Sequence, residues 1–172
     1  MPVNGFIAAM NTNNSFSGYL PGKPFLPKPL IHTNSPVLDV GIPANYERLS
    51  FFYDEAPAVM RNMVFPAAVD DDLTLKTIEY VYKNYGVFID PPAAVGFAAA
   101  QKVTAEQEMD SHFHTIILST GHPAKSAEII GKAAGKSVDV PLFINELQKE
   151  CQPIAVVPVQ LDAFENAISS CF

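Results

Sequence analysis

The 172-residue chain is 48% apolar or aromatic and only 17% charged, a balance that suits one sizeable packed core and excludes a disordered or highly charged polymer. Eleven basic against eighteen acidic residues leave a net charge of −7, which gives no broad attraction for nucleic acid or an anionic membrane. No apolar run reaches the roughly 18 to 20 residues of a membrane span, and Met1–Asn14 lacks the pattern of a signal peptide, so the chain reads as soluble, unexported and cytoplasmic. Cys151 and Cys171 show no metal-ligand spacing and fit free thiols in a reducing compartment.

In chain order, Gly5–Met10 is a short apolar run between Asn and Gly, as expected of a strand buried on both faces. A domain seldom opens on a central strand, which suggests a chain cut from something longer. Asn11–Ser35 is rich in Asn, Ser, Gly and Pro and cannot sustain regular structure. A short helix is expected from Pro43, ending before Pro57. Asp72 is expected to cap the clearest helix, in which Ile78, Val81, Tyr82 and Tyr85 share one face and Gly86 is the stop.

Asp90-Pro91-Pro92 caps and starts another helix, running from Ala93 to about Val103 and rich in small residues. Thr115–Leu118 reads as a buried strand, followed by Ser119-Thr120-Gly121-His122-Pro123 and a helix of Ala, Lys and Glu. Ile154–Val157 reads equally as a strand or as extended coil between two prolines. Strands alternating with helices predict an α/β fold with a largely parallel sheet and flanking helices.

Ligands in such sheets bind at strand carboxyl ends, which points to Asn11–Asn14 and to Ser119–His122. Both segments are rich in neutral hydrogen-bonding groups, and neither carries a nucleophile with its base. A simple helix cap at Ser119 or Thr120 is the plainer reading of the second. His112 and His114 would share a face on a strand, but nothing completes a metal site around them. Asp70–Asp72 is explained by capping and the helix dipole. Asp39 and Arg48 flank a Pro-rich stretch beside a possible cleft, with a surface ion pair as the ordinary alternative.

The segments Pro2–Asn13 (PVNGFIAAMNTN) and His32–Arg48 (HTNSPVLDVGIPANYER) closely resemble the C-terminal half of threonine synthases, in order and in spacing. Gly86–Pro91, Ala94–Gly96 and Thr120–Lys125 look like later motifs of that family, and Val138–Pro141 and Leu161–Phe164 follow its layout loosely. The resemblance implies that 1–172 is the C-terminal part of a domain in a fold type II pyridoxal-phosphate enzyme of the tryptophan synthase β-like family. Residues 137–172 would form a loosely defined tail. It also implies pyridoxal 5'-phosphate as cofactor, and O-phospho-L-homoserine and water as the substrates converted to L-threonine and phosphate.

By the same resemblance, Thr120 would hydrogen-bond the pyridine nitrogen with Ser119 beside it, while Asn11, Asn13, Asp39, Asn45 and Arg48 would line or support the cleft. Arg48 is the candidate for anion contact or an ion pair with Asp39. The family usually has His where this chain has Pro92. The family's Schiff-base lysine and glycine-rich phosphate loop precede the equivalent of Met1, no glycine-rich phosphate loop occurs in these 172 residues, and Lys125 belongs to another motif. The chain alone is therefore expected to be inactive, its missing N-terminal half or self-association covering the open side. A non-catalytic relative that acts through a partner, and another fold type II lyase, are the alternatives.

Overall fold

The computed structural model describes residues 3–20, 23–53, 57–60, 62–107, 114–147 and 155–171. The chain divides into two compact units, residues 1–139 and 140–172.

The first unit is built on two parallel strands, β1 (Phe6–Met10) and β2 (Val64–Ala68), paired from Phe6 opposite Val64 to Met10 opposite Ala68. Parallel strands need a crossover. Here it holds the short helices α1 (Phe16–Tyr19), α2 (Asn45–Tyr53) and α3 (Pro57–Met60), and a 3-10 turn at Pro36–Leu38. A strand forms at β1 but is not buried on both faces, Phe6 being 56% exposed and the rest half-buried, and the helix after Pro43 is found, ending at Tyr53 before Pro57 as expected. β2 is an addition: its apolar run is interrupted by Pro66, which removes a donor and hides the strand from pattern reading.

Helix α4 (Asp71–Tyr85) is capped by Asp70, not Asp72. Asp70 holds extended backbone and its Oδ1 accepts from the Leu73 N–H at 2.8 Å, leaving Asp71 and Asp72 in the first turn, where the helix dipole favours them. Ile78 and Val81 are buried, Tyr82 stacks on Phe88 at 4.5 Å, and Tyr85 is exposed. Gly86 ends the helix in the left-handed conformation (φ 68°), as expected.

Helix α5 (Pro91–Glu106) begins at the Asp90 cap, with two prolines in its first turn. Its small face lets backbone approach backbone: Val95, Ala98, Ala99 and Val103 pack with Ala67 and Val69 and, around them, Ile7, Ala9, Leu38 and Phe65. A second cluster gathers Tyr19, Leu20 and Met60 with Phe16, Phe25 and Tyr46, the last two rings stacked at 4.0 Å. A third joins Ile78 and Ala94 to Ile130 of α6 (Ala127–Ala134), which follows a 3-10 turn at Pro123–Ser126.

The strand expected at Thr115–Leu118 does not form. Residues 114–120 carry no strand assignment, and Ile116 and Leu118 are 70% and 79% exposed. Among the described residues no neighbouring strand lies alongside to take their hydrogen bonds, so apolar composition alone does not make them a ladder.

The second unit contains α7 (Leu142–Leu147) and α8 (Leu161–Cys171). Residues 155–158 carry no strand, while Ile154 and Cys151 lie outside the described residues. Among the described residues no helix is long and apolar enough to cross a membrane.

Candidate functional site

The carboxyl end of β1 runs directly into Asn11 and Asn13, and the loop 31–41 folds over them. Asn11 is 1% exposed. Its Nδ2 donates to Asp39 Oδ1 at 2.7 Å and to Thr33 Oγ1 at 2.9 Å, while its Oδ1 accepts from the Asn13 N–H at 2.8 Å. Asn13 pairs with the backbone of Ile31 in both directions, donating from Nδ2 at 2.8 Å and accepting at Oδ1 at 2.9 Å. That pairing fixes a proline-punctuated loop by the same bonds a strand neighbour would supply.

Asp39, with a side chain only 5% exposed, is the hub. Oδ1 accepts from Thr33 Oγ1 (2.6 Å), Asn11 and Asn13, and Oδ2 from the Thr33 N–H (2.9 Å), with His32 Nδ1 at 3.9 Å. Burial pushes the Asp39 carboxyl upward, but the Thr33 hydroxyl and N–H, the Asn11 amide and the His32 charge outweigh it and leave the pKa lowered. Thr33 and Ser35 are members of this cluster that pattern reading passes over. Their signal is the Thr-x-Ser-Pro order six residues before Asp39, in which hydroxyls back-bond to a turn.

The expected Asp39–Arg48 ion pair does not form. Asp39 spends its lone pairs on Thr33, Asn11 and Asn13, and Arg48 is exposed on α2, whose half-buried side turns Tyr46 and Leu49 to the aromatic cluster. Asn45, in the first residue of α2, is also exposed. The cluster is tied to α4 as well, because Asp71 in its first turn accepts the Asn34 N–H at 3.0 Å.

A second polar constellation surrounds Asp90. Its Oδ1 accepts from the Ala93 N–H at 3.3 Å and from Ser119 Oγ at 3.4 Å. Neither Ser119 nor Thr120 caps the following turn: that role falls to His122, whose Nδ1 accepts from the Ala124 N–H at 3.1 Å. Ser119 and Thr120 are both exposed, and the Thr120 hydroxyl bonds to no described residue. His114 is exposed, His112 lies outside the described residues, and no group of three metal-ligating side chains occurs among the described residues.

Residues 93–168 match the family model for the threonine synthase C-terminal region. Threonine synthase from Escherichia coli (strain K12) is 30% identical over 146 residues, which is 85% of this chain and 32% of that protein. The Pseudomonas aeruginosa enzyme is 25% identical over 98% of this chain and 40% of its own length. The crystal structure of the Escherichia coli threonine synthase superimposes on 99% of this chain at a TM-score of 0.81 and 26% identity. This chain is similar to threonine synthases over most of its length, and its residues 93–168 match their C-terminal region. The structure of a PLP-bound threonine synthase from Brucella melitensis shares the fold, with a TM-score of 0.79 at 23% identity. The chain spans about a third to two-fifths of the length of the threonine synthases it matches. Pro92, where the family resemblance calls for His, sits in the first turn of α5, a place that suits its missing N–H.

Proposed function

We propose that this chain is the C-terminal portion of a cytoplasmic threonine synthase of fold type II, which converts O-phospho-L-homoserine and water to L-threonine and phosphate with pyridoxal 5'-phosphate. The observation that carries the reading is the superposition of nearly the whole chain on the Escherichia coli enzyme. Pyridoxal phosphate, when bound, supplies an electron sink for removing protons near the amino-bearing carbon. The residues here fit that group: Thr120 presents an exposed hydroxyl with no described partner, which suits an uncharged contact to a pyridine nitrogen. Ser119 would hold the backbone beside it.

Asn11, Asn13 and Asp39 do not offer free donors, since their polar atoms bond to one another and to the loop 31–41. Their work is to keep that loop rigid as one wall of the cleft. Asn45 and Arg48, exposed on α2, would stand at its mouth, with Arg48 meeting the substrate's phosphate or carboxylate. By the family resemblance, the lysine that holds the cofactor and the phosphate cradle would lie outside these residues, and the chain alone is expected to be inactive.

A second reading, a non-catalytic relative that docks on a partner or on itself, draws on the exposed Ile116 and Leu118. One assay separates the two. Phosphate release from O-phosphohomoserine is measured for the chain alone and for the chain fused behind the portion of the Escherichia coli enzyme that precedes the matched region. Release by the fusion only is the expected result. A fusion that takes up cofactor yet releases no phosphate overturns the catalytic reading.

A further inference from the structure

Residues 114–120 form no helix or strand and have no strand neighbour among the described residues, so their placement depends on what they touch on α5. Two anchors are visible. Ile117 Cγ2 sits 3.1 Å from where a Cβ on Gly96 would lie, and the segment's end is pressed onto Asp90. A Cβ on Gly121 would come within 2.6 Å of Asp90 Oδ2, so a side chain there would force the carboxylate or the segment to shift. Ser119 Oγ lies 3.4 Å from Asp90 Oδ1 on the other side of Thr120. Asp90 is itself 5% exposed and tied to α5 through Ala93 N–H, so it cannot follow the segment if the segment moves.

We infer that Asp90 is a positioning residue for Thr120: one buried carboxylate lies against both Ser119 and Gly121, the residues on either side, and so limits where Thr120 can sit. The inference rests on the proposed role of Thr120 and goes beyond the helix cap that the sequence pattern assigns to Asp90. The capping function and the positioning function use different reach. A serine at the cap serves α5 as well as aspartate does, but is too short to touch Ser119 or Gly121.

The test uses Asp90→Ser and, from the opposite side, Gly121→Ala, which keeps the carboxylate chemically intact and pushes the segment away from it. In the 172-residue chain, backbone amide order parameters of Ser119–Gly121 are expected to fall from about 0.85 to below about 0.6 in both variants. The helical circular dichroism and the order parameters of α5 stay unchanged. In the fusion loaded with pyridoxal 5'-phosphate, both variants shift the cofactor absorbance maximum and weaken its binding about tenfold. Unchanged order at 119–121 in both variants, or a loss confined to α5, overturns the inference. A wild-type fusion that takes up no cofactor overturns the reading of Thr120 instead, and the order parameters still decide for or against Asp90.

Discussion

The two polar constellations of this chain are built on opposite plans. Around Asp39, Asn11, Asn13 and Ser35 are buried, Thr33 is half-buried, and their side chains find partners within residues 11–39, with only His32 exposed at the edge. Around Asp90, the carboxylate is buried but Ser119 and Thr120 face outward, and the adjoining Ile116 and Leu118 are uncovered. A self-satisfied cluster stabilises its own loop. An open one leaves a hydroxyl without a described partner. On the proposed function, the first is the scaffold of the site and the second the part that would meet a ligand.

The sharpest way to break that contrast is Asp39→Ala. It strands the Asn11 and Asn13 amides and the Thr33 hydroxyl in a buried pocket, and is expected to cost about 3 kcal/mol, since hydrogen bonds to a charged group are worth about 1.5 to 3 kcal/mol. Urea unfolding measures it. A loss under about 0.5 kcal/mol, the range of ordinary surface changes, would mean the cluster is decoration.

Acid should tell the same story more gradually. The Asp39 pKa is lowered in the folded chain, so its carboxylate binds a proton less readily there than in the unfolded chain, whose value is about 3.9. Its contribution is fully present above about pH 4 and is lost as the pH falls through the folded value below that. Asp39→Asn should therefore flatten the stability curve below pH 4 relative to the wild type. Parallel curves for the two proteins would remove Asp39 as the source.

How much of this was legible beforehand follows the same division. Local signals were readable: Asp90 and Gly86 mark helix ends because capping and left-handed backbone are decided within a few residues. Asn11, Asn13 and Asp39 could be picked out by family resemblance, but not their mutual bonds, because a separation of 26 to 28 residues leaves no periodic trace. Arg48 looked like the natural partner of Asp39 by charge alone, yet neutral donors nearer in space took its place. Thr115–Leu118 failed for a related reason: a short apolar run states a capacity to pair, and pairing needs a neighbour. Pro66 concealed β2 by the converse effect.

A smaller effect is expected from replacing Ile116 and Leu118 together with lysine. Both are already exposed, so folding stability should move by less than about 0.5 kcal/mol, while any self-association of the isolated chain through this edge should fall. Size-exclusion chromatography across a range of concentrations reads this directly. An unchanged oligomer would place the contact elsewhere on the molecule.

The smallest change to the fold and the most pointed test of the open cluster is Thr120→Val. Valine keeps the shape of threonine and deletes the hydroxyl, and that hydroxyl bonds to no described residue. Unfolding free energy should therefore stay within about 0.5 kcal/mol of the wild type. If the hydroxyl is held for a pyridine nitrogen, its loss appears only when pyridoxal 5'-phosphate is present, as a shifted absorbance maximum and binding weakened by roughly five- to tenfold, the equivalent of one hydrogen bond of about 1 kcal/mol. A variant that loses stability without cofactor would make Thr120 part of the scaffold, and the contrast with Asp39 would collapse. A variant silent in both measurements would leave Thr120 with neither role and send the search for the ring contact back to Ser119.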